Sequence, residues 1–207
     1  MSGLVLMENA GRGMTDVLCR LLPTDASAAK VVICCGKGNN AGDGFVIARH
    51  LDLRGHDVRV ALWAEPDELT GDAAANYQIL AKTGVPIEVF GNRHDPQRLA
   101  VELAGAAWIV DALLGTGARG EPRPPIDAVI EQINAVGVPI MSVDLPSGLD
   151  CDTGRAARHT VRASVTCTFL AVKAGFTAPG AQRYTGQVEV LDIGAPRKLV
   201  DEVLRRS

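Results

Sequence analysis

Three segments of the sequence place oxygen-bearing side chains beside glycines, a combination that suits ligand binding and acid–base chemistry. The first spans residues 36–44, the second follows a carboxylate at position 111, and the third follows a carboxylate at position 144. Glycines let a ligand approach the backbone closely, and the N–H groups of a loop that opens a helix can face a phosphate. The polar residues of these segments are Asn39, Asn40, Asp43, Asp111, Thr116, Asp144 and Ser147.

Asp144 is the best candidate for a general acid or base. It directly follows an apolar run that is typical of a buried strand, and a partly buried carboxylate can have its pKa raised toward the working range. Ser147 lies in a Pro-Ser-Gly-Leu context rather than the GxSxG of serine hydrolases. Acyl transfer is therefore disfavoured.

Hard oxygen ligands are available for a group I or group II cation. Asp111, Ser147 and the side-chain carbonyl of Asn40 could supply them, whereas no His or Cys residues have the spacing of a zinc site. Asp43 would repel a phosphate unless it caps the following helix or binds a sugar hydroxyl or a cation. Because Asp is favoured at the N-cap, we expect Asp43 to cap that helix, which leaves ligand contact open.

A dinucleotide fingerprint is also present, in its G/A form. Gly36, Gly38 and Ala41 satisfy G-x-G-x-x-A, and Glu65 follows the second predicted strand as a possible ribose partner. Asp43 within the loop and the absence of a Tyr-x-x-x-Lys pair argue against a dehydrogenase. A nicotinamide-dependent oxidoreductase is therefore the weakest of the functional alternatives.

The elements that must position these residues alternate along the chain. Apolar runs predict strands at residues 31–35, 58–63, 85–90, 107–112, 138–143, 163–170 and 187–191. Amphipathic spacing and start signals predict helices at residues 4–22, 45–53, 65–82, 95–104 and 124–134, with residues 23–25 ending the first. This alternation predicts one α/β domain over residues 1–207 with a mainly parallel, doubly wound sheet.

The predicted sheet brings the polar segments together. The carboxyl ends of parallel strands share one edge, so the side chains that follow three of the strands should meet at one crevice. Each Asp alone could merely cap a helix, but all three segments also carry glycine-rich turns. The sequence therefore predicts one site at this edge.

Composition excludes several classes of function. The 207 residues carry a net charge of −3 and contain only two Trp, two Tyr and four Phe, which disfavours nucleic-acid binding. No apolar run is long enough to cross a membrane. The five cysteines form no metal-type pair, and the first residues carry no secretory signal, so we expect free thiols and a cytoplasmic location.

Five motifs, in the same order along the chain, resemble the YjeF N-terminal domain, the family of the NAD(P)H-hydrate epimerases. They lie at residues 7–11 (MENAG), 38–45 (GNNAGDGF), 111–117 (DALLGTG), 143–150 (VDLPSGLD) and 168–175 (TFLAVKAG). The resemblance covers nearly the whole chain. It implies a Rossmann-like three-layer α/β/α fold, a homodimer and one bound potassium ion.

The resemblance also implies an activity and its residues. The activity is interconversion of the R and S forms of NADHX and NADPHX, nicotinamide nucleotides hydrated at ring carbon 6, as metabolite repair. Asp144 would be the catalytic acid/base with Lys173 as its neighbour, and Asn40, Asp111 and Ser147 would hold potassium. The substrate would contact Asn39, Asn40, Ala41, Gly42, Asp43, Gly115, Thr116, Gly117, Ala118, Arg119, Gly120, Glu121 and Asp144.

The same resemblance defines the partners and the main alternative. A separate NAD(P)H-hydrate dehydratase, which accepts only one epimer, would complete the repair. Some members of this fold are non-catalytic scaffolds, one of them the apolipoprotein A-I-binding protein. Because the full polar set is present in this sequence, we favour the enzyme over the scaffold.

Overall fold

The sheet has seven strands and is parallel throughout. The computed structural model describes residues 1–22, 29–198 and 200 of the 207-residue chain. The strands are β1 (Lys30–Cys35), β2 (Asp57–Leu62), β3 (Ile87–Val89), β4 (Ala106–Ala112), β5 (Ile140–Val143), β6 (Val165–Phe169) and β7 (Gln187–Leu191). Their order is β3-β2-β1-β4-β5-β6-β7, and every neighbouring pair is parallel. The predicted α/β fold with a doubly wound parallel sheet is confirmed.

Helices cover both faces of this sheet. They are α1 (Gly3–Leu21), α2 (Asn39–Asp52), α3 (Gly71–Leu80), α4 (Pro96–Leu103), α5 (Ile126–Ala135) and α6 (Gln182–Thr185), with 3₁₀ turns at Pro66–Glu68 and Ala174–Thr177. One apolar core joins the sheet to α1, α2 and α3, and a second joins it to α4 and α5. None of the described helices is long and apolar enough to cross a membrane.

Strand β1 shows how the sequence builds both cores. Side chains alternate between the two faces of a strand, so Val31, Ile33 and Cys35 lie in the core with α1–α3. Val32 and Cys34 lie in the core with α4 and α5. A continuous apolar run is therefore what a strand buried on both faces requires.

The helix after β1 begins earlier than the sequence suggests. We predicted a start at Phe45, but α2 begins at Asn39 with Gly38 as its N-cap. The prediction that Asp43 caps this helix is therefore wrong, because Asp43 lies within α2. The glycine-rich segment can be helical because its small residues pack closely: a Cβ at Gly42 would collide with Met7 of α1.

The helix predicted at residues 65–82 is also wrong in its first part. Residues Pro66–Glu68 form a 3₁₀ turn, and α3 begins only at Gly71. Leu69 and Thr70 between them have extended backbone, and Leu69 is buried. Burial of Leu69 thus outweighs the helical pattern. The predicted end of the first helix at residues 23–25 lies outside the described residues.

The strand order creates a crevice at the carboxyl edge of the sheet. The chain runs outward from β1 to β2 and β3, then crosses to β4 and continues to β7. The order therefore reverses between β1 and β4. Open α/β sheets bind ligands outside the strand ends at such a reversal, and α2 begins directly after β1 at this position.

Candidate active site

Asp111, the penultimate residue of β4, is fully enclosed by hydrogen-bond donors. Its Oδ1 accepts hydrogen bonds from Ser147 Oγ (2.6 Å) and Leu113 N (3.3 Å). Its Oδ2 accepts from Ser142 Oγ (2.8 Å) and Ser147 N (2.9 Å). Burial raises the pKa of Asp111, and these hydrogen bonds oppose that shift. Asp111 thereby joins β4 to β5 and to the loop that follows β5.

Asn40, in the first turn of α2, joins the same network through two backbone carbonyls. Its Nδ2 donates to the carbonyl oxygens of Val143 (2.6 Å) and Leu114 (3.2 Å). The N–H of Leu114 in turn donates to Ser147 Oγ (2.9 Å). Asn40 Oδ1 lies against Gly115, where a Cβ would collide with it. The structure thus brings Asn40, Asp111 and Ser147 into one connected cluster.

This cluster offers an all-oxygen donor set. It contains the Asn40 amide oxygen, the Ser147 hydroxyl, one carboxylate, and the carbonyls of Leu114 and Val143. Among the described residues, no three His, Cys, Asp or Glu side chains form a metal-binding group. A cation here would therefore depend on neutral oxygens and the single carboxylate of Asp111. Such a set fits a monovalent ion, because it holds one negative charge among neutral oxygens.

Asp144 follows β5 in a strained backbone conformation. Its φ is +64°, and the N–H of Leu145 donates to the carbonyl of Val143 (2.7 Å) across it, which forms a γ-turn. Strand β6 ends in the same way: Leu170 has φ +68°, and Ala171 N donates to Phe169 O (2.8 Å). This form of the γ-turn is rare and strained. Strain of this kind concentrates at functional sites.

The carboxylate of Asp144 is bonded through only one of its oxygens. Oδ1 accepts from Lys173 Nζ (2.8 Å), Thr168 Oγ1 (3.0 Å) and Phe169 N (3.4 Å). Oδ2 accepts no hydrogen bond from the described residues, and the Asp144 side chain keeps 12% of its surface exposed. Lys173 Nζ also donates to the carbonyl of Phe169 (3.4 Å). The pair therefore has fixed geometry and one free carboxylate oxygen.

Asp43 is a second buried carboxylate near this pair. It is 6% exposed, and its carboxylate accepts no hydrogen bond from the described residues. Burial, and then the negative charge of Asp144, raise the pKa of Asp43 well above its usual range. Burial of Asp43 beside Asp144 therefore disfavours its charged form.

The loop of residues 115–121 separates two cavities. The larger, about 680 Å³, is also lined by residues 36–40 together with Trp63, Asn92 and residues 122–126. The smaller, about 380 Å³, lies between the loop and residues 145–157. The loop is tied to the latter segment because Arg119 bonds Asp152 (2.9 Å) and Glu121 Oε2 accepts the N–H of Arg158 (2.9 Å).

The residues predicted to bind substrate fall into three groups, one of which is the pair of neighbouring carboxylates Asp43 and Asp144 described above. Asn39, Asn40 and the loop of residues 115–121 line the larger cavity. Ala41 and Gly42 lie in the interior instead: Ala41 is a fully buried core residue, and Gly42 faces Met7 and Ala73. The structure gives Ala41 and Gly42 packing roles, and substrate contact at those two positions stays a prediction.

Sequence reasoning missed several residues of the site. Thr168 and Ser142 bond the two strand-end carboxylates, while Trp63, Asn92 and Arg123 line the larger cavity. The parallel register of β5 and β6 could have indicated Thr168, because Val143 pairs with Cys167. Asn92 and Arg123 lie in loops with no sequence signal of their own.

Comparison with known proteins shows which family this chain is similar to. The family model of the YjeF-related protein N-terminus matches residues 3–175. The crystal structure of yeast YNL200c superposes with a TM-score of 0.71 at 29% identity, covering 82% of this chain and 72% of the yeast chain. The family model and the structural neighbour therefore indicate the same family as the five sequence motifs.

Curated relatives cover almost the whole chain. The NAD(P)H-hydrate epimerase of Pirellula staleyi is 48% identical over 98% of this chain and 88% of its own length. That of Rhodopirellula baltica is 43% identical over 97% of this chain and 79% of its own length. The bifunctional NAD(P)H-hydrate repair enzyme of Moorella thermoacetica is 41% identical over 95% of this chain, which matches only 37% of that enzyme.

Proposed function

The chain belongs to the family of YjeF-related protein N-termini, and from this membership we propose that it is an isomerase, an NAD(P)H-hydrate epimerase acting on NADHX and NADPHX. The observation that carries the proposal is 48% identity to an epimerase over 98% of the chain. The geometry supports it, since Asp144 combines fixed orientation by Lys173 with an oxygen left free for a substrate.

The proposed chemistry needs one group that gives a proton and takes one back. The hydrated carbon of the substrate is a carbinolamine, so its hydroxyl can accept a proton and leave as water, which produces an iminium ion. Water then adds to the opposite face and returns a proton to the protein. A single carboxylate can serve in both steps, and we assign this role to Asp144.

Lys173 and Asp43 have supporting roles in this proposal. Lys173 orients the Asp144 carboxyl group through its 2.8 Å contact. Asp43, whose pKa burial and Asp144 raise, can donate a hydrogen bond to a polar group of the substrate. An ionised Asp43 would instead repel Asp144.

We also propose that Asn40, Asp111 and Ser147 hold a potassium ion with the carbonyls of Leu114 and Val143. These carbonyls converge on one amide nitrogen, as they would on a cation. The ion would supply positive charge that fixes the loops after β4 and β5 beside the substrate. Asp111 would hold Ser147 in place through its 2.6 Å hydrogen bond.

The remaining assignments concern location and partners. A cytoplasmic location, a homodimer and a single domain over residues 1–207 stay predictions. The bifunctional relative is named as a repair enzyme and is much longer than this chain. We propose that an NAD(P)H-hydrate dehydratase consumes the product here too, as a separate functional partner.

Proton NMR of NADHX enriched in one epimer tests the function. Catalytic amounts of protein with potassium should restore the epimer equilibrium much faster than buffer does, and replacing potassium by lithium should slow the restoration. Equal rates with and without protein would contradict the proposal and favour a non-catalytic binding module.

A further inference from the structure

A third cavity lies apart from the two cavities beside the loop of residues 115–121. This outer cavity has a volume of about 500 Å³ and is lined by residues 153–156, 178–180 and 183–184. It shares no lining residue with the larger cavity, and it shares only Thr153, Arg155 and Ala156 with the smaller one. A cavity of this size can hold a small ligand.

The charged groups of the outer cavity are all cationic. Arg155 and Arg183 line it, and no aspartate or glutamate of the described chain does. Both arginines are exposed, and neither side chain forms an ion pair or hydrogen bond with a described residue. The Arg183 side chain lies over the cavity wall, with its Nε 3.8 Å from the position that a Cβ of Gly180 would occupy. Two cations at one cavity repel each other, and an anion between them would remove that repulsion.

The carboxylates closest in sequence do not neutralise these arginines. Asp150 and Asp152 belong to the same turn as Arg155, but both pair with Arg119, at 3.8 and 2.9 Å respectively. Asp150 also accepts two backbone N–H groups of its own turn. Arg155 and Arg183 are therefore left to bind an anion from solution.

The donors of the outer cavity fit a phosphate group. A guanidinium can donate two parallel hydrogen bonds to phosphate oxygens, and two guanidiniums match the charge of a phosphate monoester near neutral pH. Tyr184 also lines the cavity, and its hydroxyl forms no hydrogen bond with a described residue. That hydroxyl can supply one further donor.

The turn of residues 150–156, which carries one of the two arginines, packs against the segment that carries Lys173. Gly175 N donates to the Cys151 carbonyl (2.8 Å), and a Cβ at Gly154 would collide with the Gly175 carbonyl. Gly175 belongs to the 3₁₀ turn for which Lys173 is the N-cap. The position of the 150–156 turn therefore affects the cation of the acid–base pair.

We propose that the outer cavity is an effector site, which binds a phosphate group of a small molecule between Arg155 and Arg183. Because Arg183 lies in α6, a phosphate held by both arginines would join the turn of residues 150–156 to that helix. We expect this link to fix Lys173 and thereby raise kcat. The binding site goes beyond the proposed function, and only its effect on catalysis rests on that function.

Calorimetric titration with pyrophosphate at constant ionic strength tests the site. Arg155→Gln and Arg183→Gln should each weaken pyrophosphate binding by about tenfold, because each removes a charge-assisted contact. Arg12→Gln, which removes an exposed arginine of α1 that has no partner among the described residues, is the matched control. It should change the affinity less than twofold.

Two further comparisons locate the bound anion and define its source. Arg183 lines the outer cavity and neither of the other two, so loss of binding in Arg183→Gln assigns pyrophosphate to the outer cavity. AMP that binds with the same dependence on both arginines would identify phosphate esters as ligands, whereas binding of pyrophosphate alone would identify a free polyphosphate. Affinities that Arg155→Gln and Arg183→Gln leave within twofold of the unaltered protein would overturn the inference.

Kinetics separate this inference from the proposed function. At saturating NADHX, pyrophosphate should raise kcat by about fivefold in the unaltered protein and have no effect in Arg183→Gln, which should keep the basal kcat. Epimerisation that pyrophosphate leaves unchanged would contradict the effector role and leave the function intact. Pyrophosphate binding that depends on Arg155 and Arg183, without any epimerisation, would contradict the function and leave the anion site.

Discussion

Asp111 and Asp144 lie at the ends of adjacent parallel strands, yet their surroundings suit opposite tasks. Asp111 is 1% exposed and accepts four hydrogen bonds, all from neutral donors. Asp144 is 9% exposed, pairs with Lys173 and keeps one oxygen without a described partner. A carboxylate that accepts four hydrogen bonds supports the frame, whereas a carboxylate with a free oxygen can act as an acid or base on a substrate.

The backbone shows the same division. Asp111 lies within regular β4, while Asp144 occupies a strained γ-turn with φ +64°. Regular strand structure costs nothing at Asp111, but the turn at Asp144 needs support from Thr168 and Lys173. Residue type and strand position are therefore the same for the two roles. What distinguishes the roles is the set of hydrogen-bond donors around each carboxylate.

The largest expected effect is on catalysis at Asp144. Asp144→Asn should lower the epimerisation rate by roughly 10²- to 10⁴-fold, because the proton donor and acceptor is lost. The turn should keep its conformation, since Asn tolerates positive φ well. Proton NMR of epimer-enriched NADHX measures the rate, and a variant with full activity would show that Asp144 is not the acid/base.

The matched change at Asp111 should act on stability instead. Asp111→Asn places an amide NH₂ against the donors Ser142 and Ser147 and should lower the free energy of unfolding by about 3 kcal/mol. Urea denaturation measures this loss. If Asp111→Asn proves no less stable than Asp144→Asn, the proposed division between frame and catalyst is wrong.

Lys173 tests whether charge is what distinguishes Asp144. Lys173→Met keeps the length of the side chain but removes the ammonium group, and should lower kcat by about 10- to 100-fold. Lys173→Arg keeps the charge and should retain more activity. Equal losses in the two variants would indicate that the shape of Lys173, and not its charge, orients the carboxylate.

Asp43 adds a pH dependence to the comparison, in the same direction as that of the buried Asp111. Its folded-state pKa is raised by burial and by Asp144, so between the unfolded and folded pKa values the folded chain holds the extra proton. The free energy of unfolding should fall as pH rises through that interval, by up to about 1.4 kcal/mol per pH unit. Asp43→Asn should flatten this slope in urea titrations from pH 4 upward.

Asp52→Asn, on the exposed end of α2, is the matched control and should keep the slope. An equal slope in Asp43→Asn and in the unaltered protein would show that Asp43 does not contribute to it, and would assign the slope to other groups such as Asp111.

The smallest effect should come from Thr168. Thr168→Val removes one neutral hydrogen bond to Asp144 without changing the β-branched shape, and should lower kcat by about fivefold, or about 1 kcal/mol. Thr166→Val, on the same strand, removes a bond to the Thr185 carbonyl instead and should leave kcat unchanged. Similar losses of kcat in both variants would assign the effect to strand packing.

Most of the fold could be predicted from sequence, because periodicity carries it. The alternation of strands and helices follows from apolar patterns, and Asp95 caps α4 as its position before Pro96 predicts. Leu69 and Asn39 mark the limits of such reasoning. Burial of Leu69 interrupts a helical pattern, and close packing of small residues allows a glycine-rich segment to be helical. Both effects depend on residues that are distant along the chain, so the local sequence does not predict them.

The site was only partly predictable for a related reason. Sequence order places Asp111, Asp144 and Ser147 at one sheet edge, which the cluster in the structure agrees with. It does not show that Asp111 is saturated with donors, that Asp144 is paired with Lys173, or that Trp63 faces a cavity. Such facts depend on register, turn geometry and loop position.

One amide connects three parts of the molecule. Asn40 reaches from the start of α2 to the carbonyl of Leu114, in the loop after β4, and to that of Val143, the last residue of β5. An ion that replaced this amide nitrogen would therefore reposition the segment that lines the larger cavity. If such an ion changed the affinity of that cavity for a ligand, thermodynamic reciprocity would require the ligand to change the affinity for the ion by the same factor.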